Sequence, residues 1–284
     1  MKRIKALSII TGIYILAYVL GALAVIGIDN LVLKLFVFDI VATVVTFVFS
    51  VLLKNSSVYD PYWSLTPLVL IVWIYVVNGS FSLMHILFLT AFFLWGIRLT
   101  VNWITVFCDF SYEDWRYKMF RDNNGPFMWF LANFFGIHMV PTLVVFAGML
   151  PIFELAKANL GILSVPGILI VLFGTSLELF ADKDMHRFLE TTKEKVSCRE
   201  GLWKYSRHPN YLGEISVWVG TFLTVLPYAP DKWLCGIGAL SVALLFNFIS
   251  IPMMEKRQLS RRPDYVQYKK ETSRLLLMPP KKVV

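Results

Sequence analysis

The chain has 284 residues, 57% of them hydrophobic and 16% charged, with a formal net charge of +8 and a mean hydropathy of +0.64. A soluble domain carries about 25% charged residues, so this composition excludes a soluble globular enzyme. It indicates an all-α polytopic membrane protein, a bundle of about 7–8 transmembrane helices. The positive charge is not a nucleic-acid signature, because Lys and Arg gather in a few loops and in the tail, as they do in cytoplasmic segments of membrane proteins.

Eight apolar runs mark the spans: 5–28, 31–53, 62–78, 81–107, 127–150, 161–181, 211–228 and 233–253. The first follows Lys2, Arg3 and Lys5. It is long, lacks a small-residue cleavage site and is followed by further spans, so it reads as a retained helix rather than a signal peptide. Polar turn signals separate the runs at Asp29-Asn30, Asn55-Ser56-Ser57, Asn78-Gly79-Ser80, Asn123-Asn124-Gly125-Pro126 and Ala229-Pro230-Asp231. The loops at 54–61, 108–126 and 182–210 and the tail from 254 hold most of the loop cations. The opposite-side loops hold only Lys157 and Lys232. Both termini are therefore expected on the cytoplasmic side. No internal repeat is present, and residues 1–284 form one membrane domain.

Four polar groups stand out along the chain. Asp60 precedes Pro61 at the mouth of the third span, with Tyr62 next. Asp60 is either a helix N-cap or a carboxylate facing the bundle interior, suited to carrying a proton. Arg98 lies within the fourth span and is expected to face protein or ligand rather than lipid. Glu113, Asp114, Arg116 and Arg121 read as an amphipathic surface helix with near-neighbour ion pairs, or as a cap whose arginines meet phosphates. Glu178 and Asp182 share a helix face at the end of the sixth span, with His186 and Arg187 just beyond. They are a helix-exit charge cluster, or groups that bind ribose hydroxyls or an amide.

The densest segment runs from Gly201 to Glu214 and contains Lys204, Tyr205, Arg207, His208, Asn210 and Tyr211. So many hydrogen-bonding groups beside an apolar run are costly unless something polar docks there. Arginine and lysine suit phosphate, and the tyrosines suit stacking or hydroxyl contacts. Cys108, Cys198 and Cys235 are far apart and form no disulfide framework. No histidine, cysteine or carboxylate set has metal spacing, and no glycine-rich nucleotide loop is present.

The Gly201–Glu214 segment resembles the C-terminal part of the steroid 5α-reductase superfamily, in particular its microbial multi-span branch. Its Arg207-His208-Pro209-Asn210-Tyr211 form is also similar to sterol C14 and Δ7 reductases. The similarity continues through Arg257 and Tyr265, covers about 160–280 and leaves the first span as an extra one. It implies NADPH as cofactor and hydride transfer to the double bond of a conjugated enone in a steroid-like lipid. Arg98, Arg116, Asp182, Arg187, Tyr205, Arg207, His208, Asn210, Tyr211, Glu214, Arg257 and Tyr265 would hold the cofactor. Asp60 is similar to the family's membrane glutamate, shortened by one carbon. The family's tyrosine has no counterpart in Phe92-Phe93-Leu94-Trp95-Gly96-Ile97-Arg98; Tyr62 or Tyr117 would have to replace it, and Tyr62 is taken with Asp60 as the catalytic pair.

Membrane methyltransferases of the isoprenylcysteine and phospholipid type carry a similar Arg-His-Pro-x-Tyr-x-Gly segment, so S-adenosylmethionine is the competing cofactor. Asn210 and Glu214 together favour the reductases. A third reading is a non-catalytic lipid-binding or scaffold protein. Lys281-Lys282-Val283-Val284 resembles a dilysine retrieval signal or is a basic tail near anionic lipid. The expected location is therefore the endoplasmic reticulum or, for a bacterial source, the inner membrane.

Overall fold

A computed structural model describes residues 2–281, and every regular element among them is helical. Seven helical stretches are long and apolar enough to cross a membrane. The chain is thus an all-α polytopic membrane protein. The expected signal at Lys282, Val283 and Val284 lies outside the described residues.

Two compact units divide the chain. The first comprises Met1–Ser80 and Gly96–Lys157. It contains α1 (Lys2–Ala24), α2 (Leu31–Leu52), a 3-10 turn (Ser56–Tyr59), α3 (Tyr62–Asn78), the later part of α4 (Leu83–Val106), α5 (Trp115–Asp122), α6 (Pro126–Leu131) and α7 (Val140–Leu155). A π-helical stretch, Ala132–Met139, joins α6 to α7. The polar breaks read in the sequence act locally. Asn30 caps α2 by accepting from the Leu33 N–H at 3.0 Å. Asn55 anchors the 3-10 turn, donating to the carbonyls of Phe110 (3.0 Å) and Tyr112 (2.7 Å) while accepting from the Ser57 N–H.

The second unit comprises Phe81–Trp95 and Ala158–Val284. It contains the start of α4, α8 (Val165–Thr191), a 3-10 turn (Gly201–Lys204), α9 (Pro209–Val225), α10 (Ile237–Leu245), α11 (Ile251–Arg261) and α12 (Tyr265–Glu271), with a π-helical stretch, Phe246–Ser250, between α10 and α11. Glycines let α8 and α9 touch. A Cβ at Gly174 would lie 2.5 Å from the Gly213 carbonyl oxygen, and one at Gly220 would lie 2.7 Å from that of Gly167. Within lipid the hydrophobic effect does not pull helices together, so this backbone approach is what dispersion and Cα–H contacts need.

Several sequence boundaries shift: the first run ends at Ala24, the fifth continues to Leu155 and the last to Arg261, and two further shifts bear on the site. The sixth span was expected to stop at 181, but α8 continues to Thr191. Asp182, His186 and Arg187 therefore sit on a rigid helix, not in a loop. The seventh span becomes α9, a helix of 17 residues, at the short end of the ~17–25 that cross a bilayer.

Candidate functional site

The site in the second unit begins at a turn that only glycine can make. Gly201 has φ +51°, and a Cβ there would overlap the Asp184 carboxylate. Asp184 instead accepts the Leu202 N–H at 3.0 Å, and the Trp203 indole donates to the Ala181 carbonyl at 2.9 Å. The turn is thereby pinned to the polar extension of α8.

The tail then wraps the segment that follows. The Arg207 N–H donates to the Ser273 carbonyl at 2.9 Å and the Met278 N–H to the Tyr205 carbonyl at 3.1 Å. Ser206 and Ser273 form an isolated parallel bridge. The Tyr268 hydroxyl donates to the Trp203 carbonyl at 2.6 Å. Arg207 reaches the carbonyls of Lys269 and Thr272 through one guanidinium nitrogen. Its other terminal nitrogen lies 2.8 Å from Glu255, which also pairs with Lys269 at 2.7 Å. Glu255 is 6% exposed, so two cations neutralise a carboxylate that would be costly to bury alone.

These contacts frame a cavity of about 350 Å³, a ligand-sized volume. α8 supplies Asp182 and His186, and the turn supplies Trp203. The start of α9 supplies Asn210 and Tyr211, and α11 and α12 supply Arg257 and Tyr265. His208 and Tyr211 stack with ring planes 6° apart, and Tyr211 stacks in turn on Phe246. Burial lowers the pKa of His208 while the Glu255 carboxylate pulls it back. Burial raises the Tyr265 hydroxyl and the Cys198 thiol, and both side chains line the cavity.

Of the residues expected to hold a cofactor, Asp182, Arg207, His208, Asn210, Tyr211, Arg257 and Tyr265 line this cavity. The others do not. Glu214 is 4% exposed and accepts the indole N–H groups of Trp95 (2.9 Å) and Trp218 (2.8 Å), so its carboxylate is held inside the helix packing. Tyr205 is exposed beneath the Lys204 ammonium, and Arg187 lies at the surface 3.9 Å from Asp184. Arg98 is half-buried in the part of α4 that belongs to the first unit. Arg116, also in that unit, pairs with Asp114 at 2.8 Å. Arg207 lines the cavity, and its terminal guanidinium nitrogens cross-link the tail and Glu255. The sequence reading missed Trp203, Met254, Gln258, Arg262 and Tyr268. Met254 lies three residues before Arg257 and Tyr268 three after Tyr265, a helical-face signal that would have found these two.

In the first unit, Asp60 is not the N-cap of α3, which starts at Tyr62 after Pro61 with no side-chain cap. Its Oδ1 accepts the Tyr117 hydroxyl at 2.6 Å. Burial, and the Asp60 carboxylate beside it, raise the pKa of Tyr117 well above the ordinary tyrosine value. The expected pairing of Asp60 with Tyr62 gives way, because Tyr62 donates to Asp39 at 2.7 Å. Asp114 caps α5 by accepting the Arg116 N–H, and Glu113 pairs with Arg121 at 2.5 Å, as an amphipathic surface helix requires.

A family described as a protein of unknown function, DUF1295, matches residues 46–272. The chain belongs to the DUF1295 family. The matched stretch of this DUF1295 chain includes Asp60, Tyr117 and every residue that lines the large cavity, and leaves α1 outside. No curated protein and no solved structure matches the chain.

Proposed function

We propose that the chain is an NADPH-dependent membrane reductase of the steroid 5α-reductase type, acting on the carbon–carbon double bond of a conjugated enone in a steroid-like lipid. The cavity in the second unit carries this reading. Arg257, Arg262 and His186 offer cationic or donor groups to phosphate, Asn210 and Asp182 offer directional bonds, and Trp203, Tyr211 and Tyr265 offer flat faces to ring systems. This donor set fits a phosphate-bearing dinucleotide. NADPH would supply the hydride.

The remaining chemistry falls to the chain's own residues. A hydride added to the β-carbon of an enone leaves an enolate, which needs a hydrogen-bond donor or acid at its oxygen. The resemblance implies an acid and a tyrosine for that task, and Asp60 with Tyr117 at 2.6 Å is a pair of that kind. In this reading Asp60 and Tyr117 polarise the carbonyl. Arg257 and Arg262 hold phosphate, and the tail keeps the Gly201–Tyr211 segment in register through Arg207 and Glu255.

The methyltransferase reading has one observation in its favour. Asp182, the four aromatic rings of Trp203, Tyr211, Tyr265 and Tyr268, and the thioethers of Met185 and Met254 suit a sulfonium cation. Turnover decides between the two. Purified protein in lipid nanodiscs should oxidise NADPH when supplied with enone lipids, and Asp60→Asn should lose that turnover while keeping NADPH affinity. Full turnover by Asp60→Asn would remove Asp60 from the chemistry, and methyl transfer without NADPH oxidation would replace the reductase reading.

A further inference from the structure

The first unit holds a second buried polar cluster that the proposed reduction does not use. Asp39 lies in the middle of α2 and is 3% exposed. Its Oδ1 accepts the Tyr62 hydroxyl at 2.7 Å, the one hydrogen bond to this carboxyl group among the described residues. Hydroxyls continue from there. Thr43 lies one helical turn from Asp39 on the same buried face of α2. Thr43 and Thr142 lie 2.9 Å apart, and Thr142 and Tyr59 lie 2.7 Å apart. All of these side chains are buried.

A small cavity of about 10 Å³ lies against Asp39, Tyr59, Tyr62, Thr66 and Thr142, close to the least volume that holds one water molecule. The groups that face the cluster are weak acids or neutral. From α1, Tyr18 bonds Thr66 at 3.0 Å and Tyr14 donates to the Val58 carbonyl at 2.7 Å. From the π-helical stretch, the His138 ring lies 4.6 Å from that of Tyr59, tilted by 48°, while its Nδ1 bonds the Asn133 carbonyl. No lysine or arginine is among them.

An intramembrane carboxylate without a cation is expensive, whereas a carboxylic acid that accepts on one oxygen and carries its proton on the other is not. We propose that Asp39 is a proton-binding site whose carboxyl group exchanges one proton along the Tyr62–Thr43–Thr142–Tyr59 hydroxyl chain. Threonine and tyrosine hydroxyls both donate and accept, so the chain runs in either direction. On uptake by the carboxylate, Tyr62 gives its proton to Asp39 and takes one from Thr43. Thr43 takes one from Thr142, Thr142 from Tyr59, and Tyr59 from hydronium, which is left as water. Every O–H bond broken is replaced by one formed, and nothing is oxidised or reduced. The site stands without the reductase reading, since none of its residues lines the cofactor cavity. Where that reading holds, the site stores the kind of proton that double-bond reduction consumes.

Infrared difference spectroscopy of the full-length protein in nanodiscs, in light and heavy water, tests this. A protonated-carboxyl C=O band is expected that disappears in Asp39→Asn and shifts to lower frequency in heavy water. Tyr62→Phe should move the same band to higher frequency by removing its hydrogen bond, which keeps the test available if Asp39→Asn fails to fold. Thr142→Val should slow deuterium uptake at least tenfold. A spectrum unchanged by both Asp39→Asn and Tyr62→Phe would overturn the protonated acid. A band that survives hours in heavy water unshifted, or exchanges equally fast in Thr142→Val, would overturn the relay.

Discussion

Glu255 in the second unit and Asp39 and Asp60 in the first are satisfied in opposite ways. In the second unit, Glu255 is met by Arg207 and Lys269, and the cavity beside them is lined by further arginines. In the first unit, Asp39 and Asp60 are met by tyrosine hydroxyls. Opposite charges fix a structure and leave cationic groups nearby for an anionic ligand. Hydroxyls on a carboxyl group leave its proton free to move. The contrast separates holding from proton handling, and each half predicts a different response to substitution.

The largest effect is expected from Glu255→Gln. It strands Arg207 at 7% exposure without its carboxylate, and removing one partner of a buried pair costs about 3–5 kcal/mol. The tail should become sensitive to protease at lower temperature in this variant, a readout that Asp39→Asn should not share. Next comes Gly213→Leu, which drives a side chain into the Gly174 carbonyl and the Glu178 stem. Overpacking of this kind costs about 1–3 kcal/mol, measured as a lower unfolding midpoint.

Arg257→Ala combined with Arg262→Ala should weaken NADPH binding by about tenfold or more per lost charged hydrogen bond, with little change in the unfolding midpoint of the ligand-free protein. Isothermal titration would show it. Cys198 offers a smaller, site-locating signal. It is 2% exposed and lines the cavity, so in a Cys108→Ser, Cys235→Ser background NADPH should slow its maleimide labelling several-fold. The smallest effect is a pH dependence. Burial holds the folded pKa of His208 below its unfolded value, so the unfolded chain binds the proton first. Stability should therefore fall as pH drops through about 6.5, and the unfolding midpoint of His208→Asn should fall less over that range.

Much of the fold was legible because the bilayer leaves few alternatives. Runs such as 31–53 and 81–107 return as α2 and α4 with ends shifted by a residue or two. The errors lie where the apolar run and the helix part company. Asp182–Thr191 is polar, so hydropathy ends the span there, but nothing in it stops a helix and α8 continues. The site was half legible for a related reason. Residue type announces that Arg207 and Glu214 need partners, but the partners lie far along the chain. Glu255 and the Lys269 and Thr272 carbonyls claim Arg207, and Trp95 and Trp218 claim Glu214. Arg257 lines the same cavity as Arg207. Tyr117 was only one of two candidates for the partner of Asp60, because no spacing rule links residues 57 positions apart.

The most direct measurement is the unfolding midpoint of the purified protein with NADPH and, separately, with S-adenosylmethionine, in the wild type and in the Arg257→Ala, Arg262→Ala variant. A ligand that binds only the folded state at 100 times its dissociation constant adds about 2.7 kcal/mol. The account predicts a rise with NADPH that the double variant loses, and none with S-adenosylmethionine. A rise with S-adenosylmethionine alone, or a rise with NADPH that the double variant keeps in full, would contradict it.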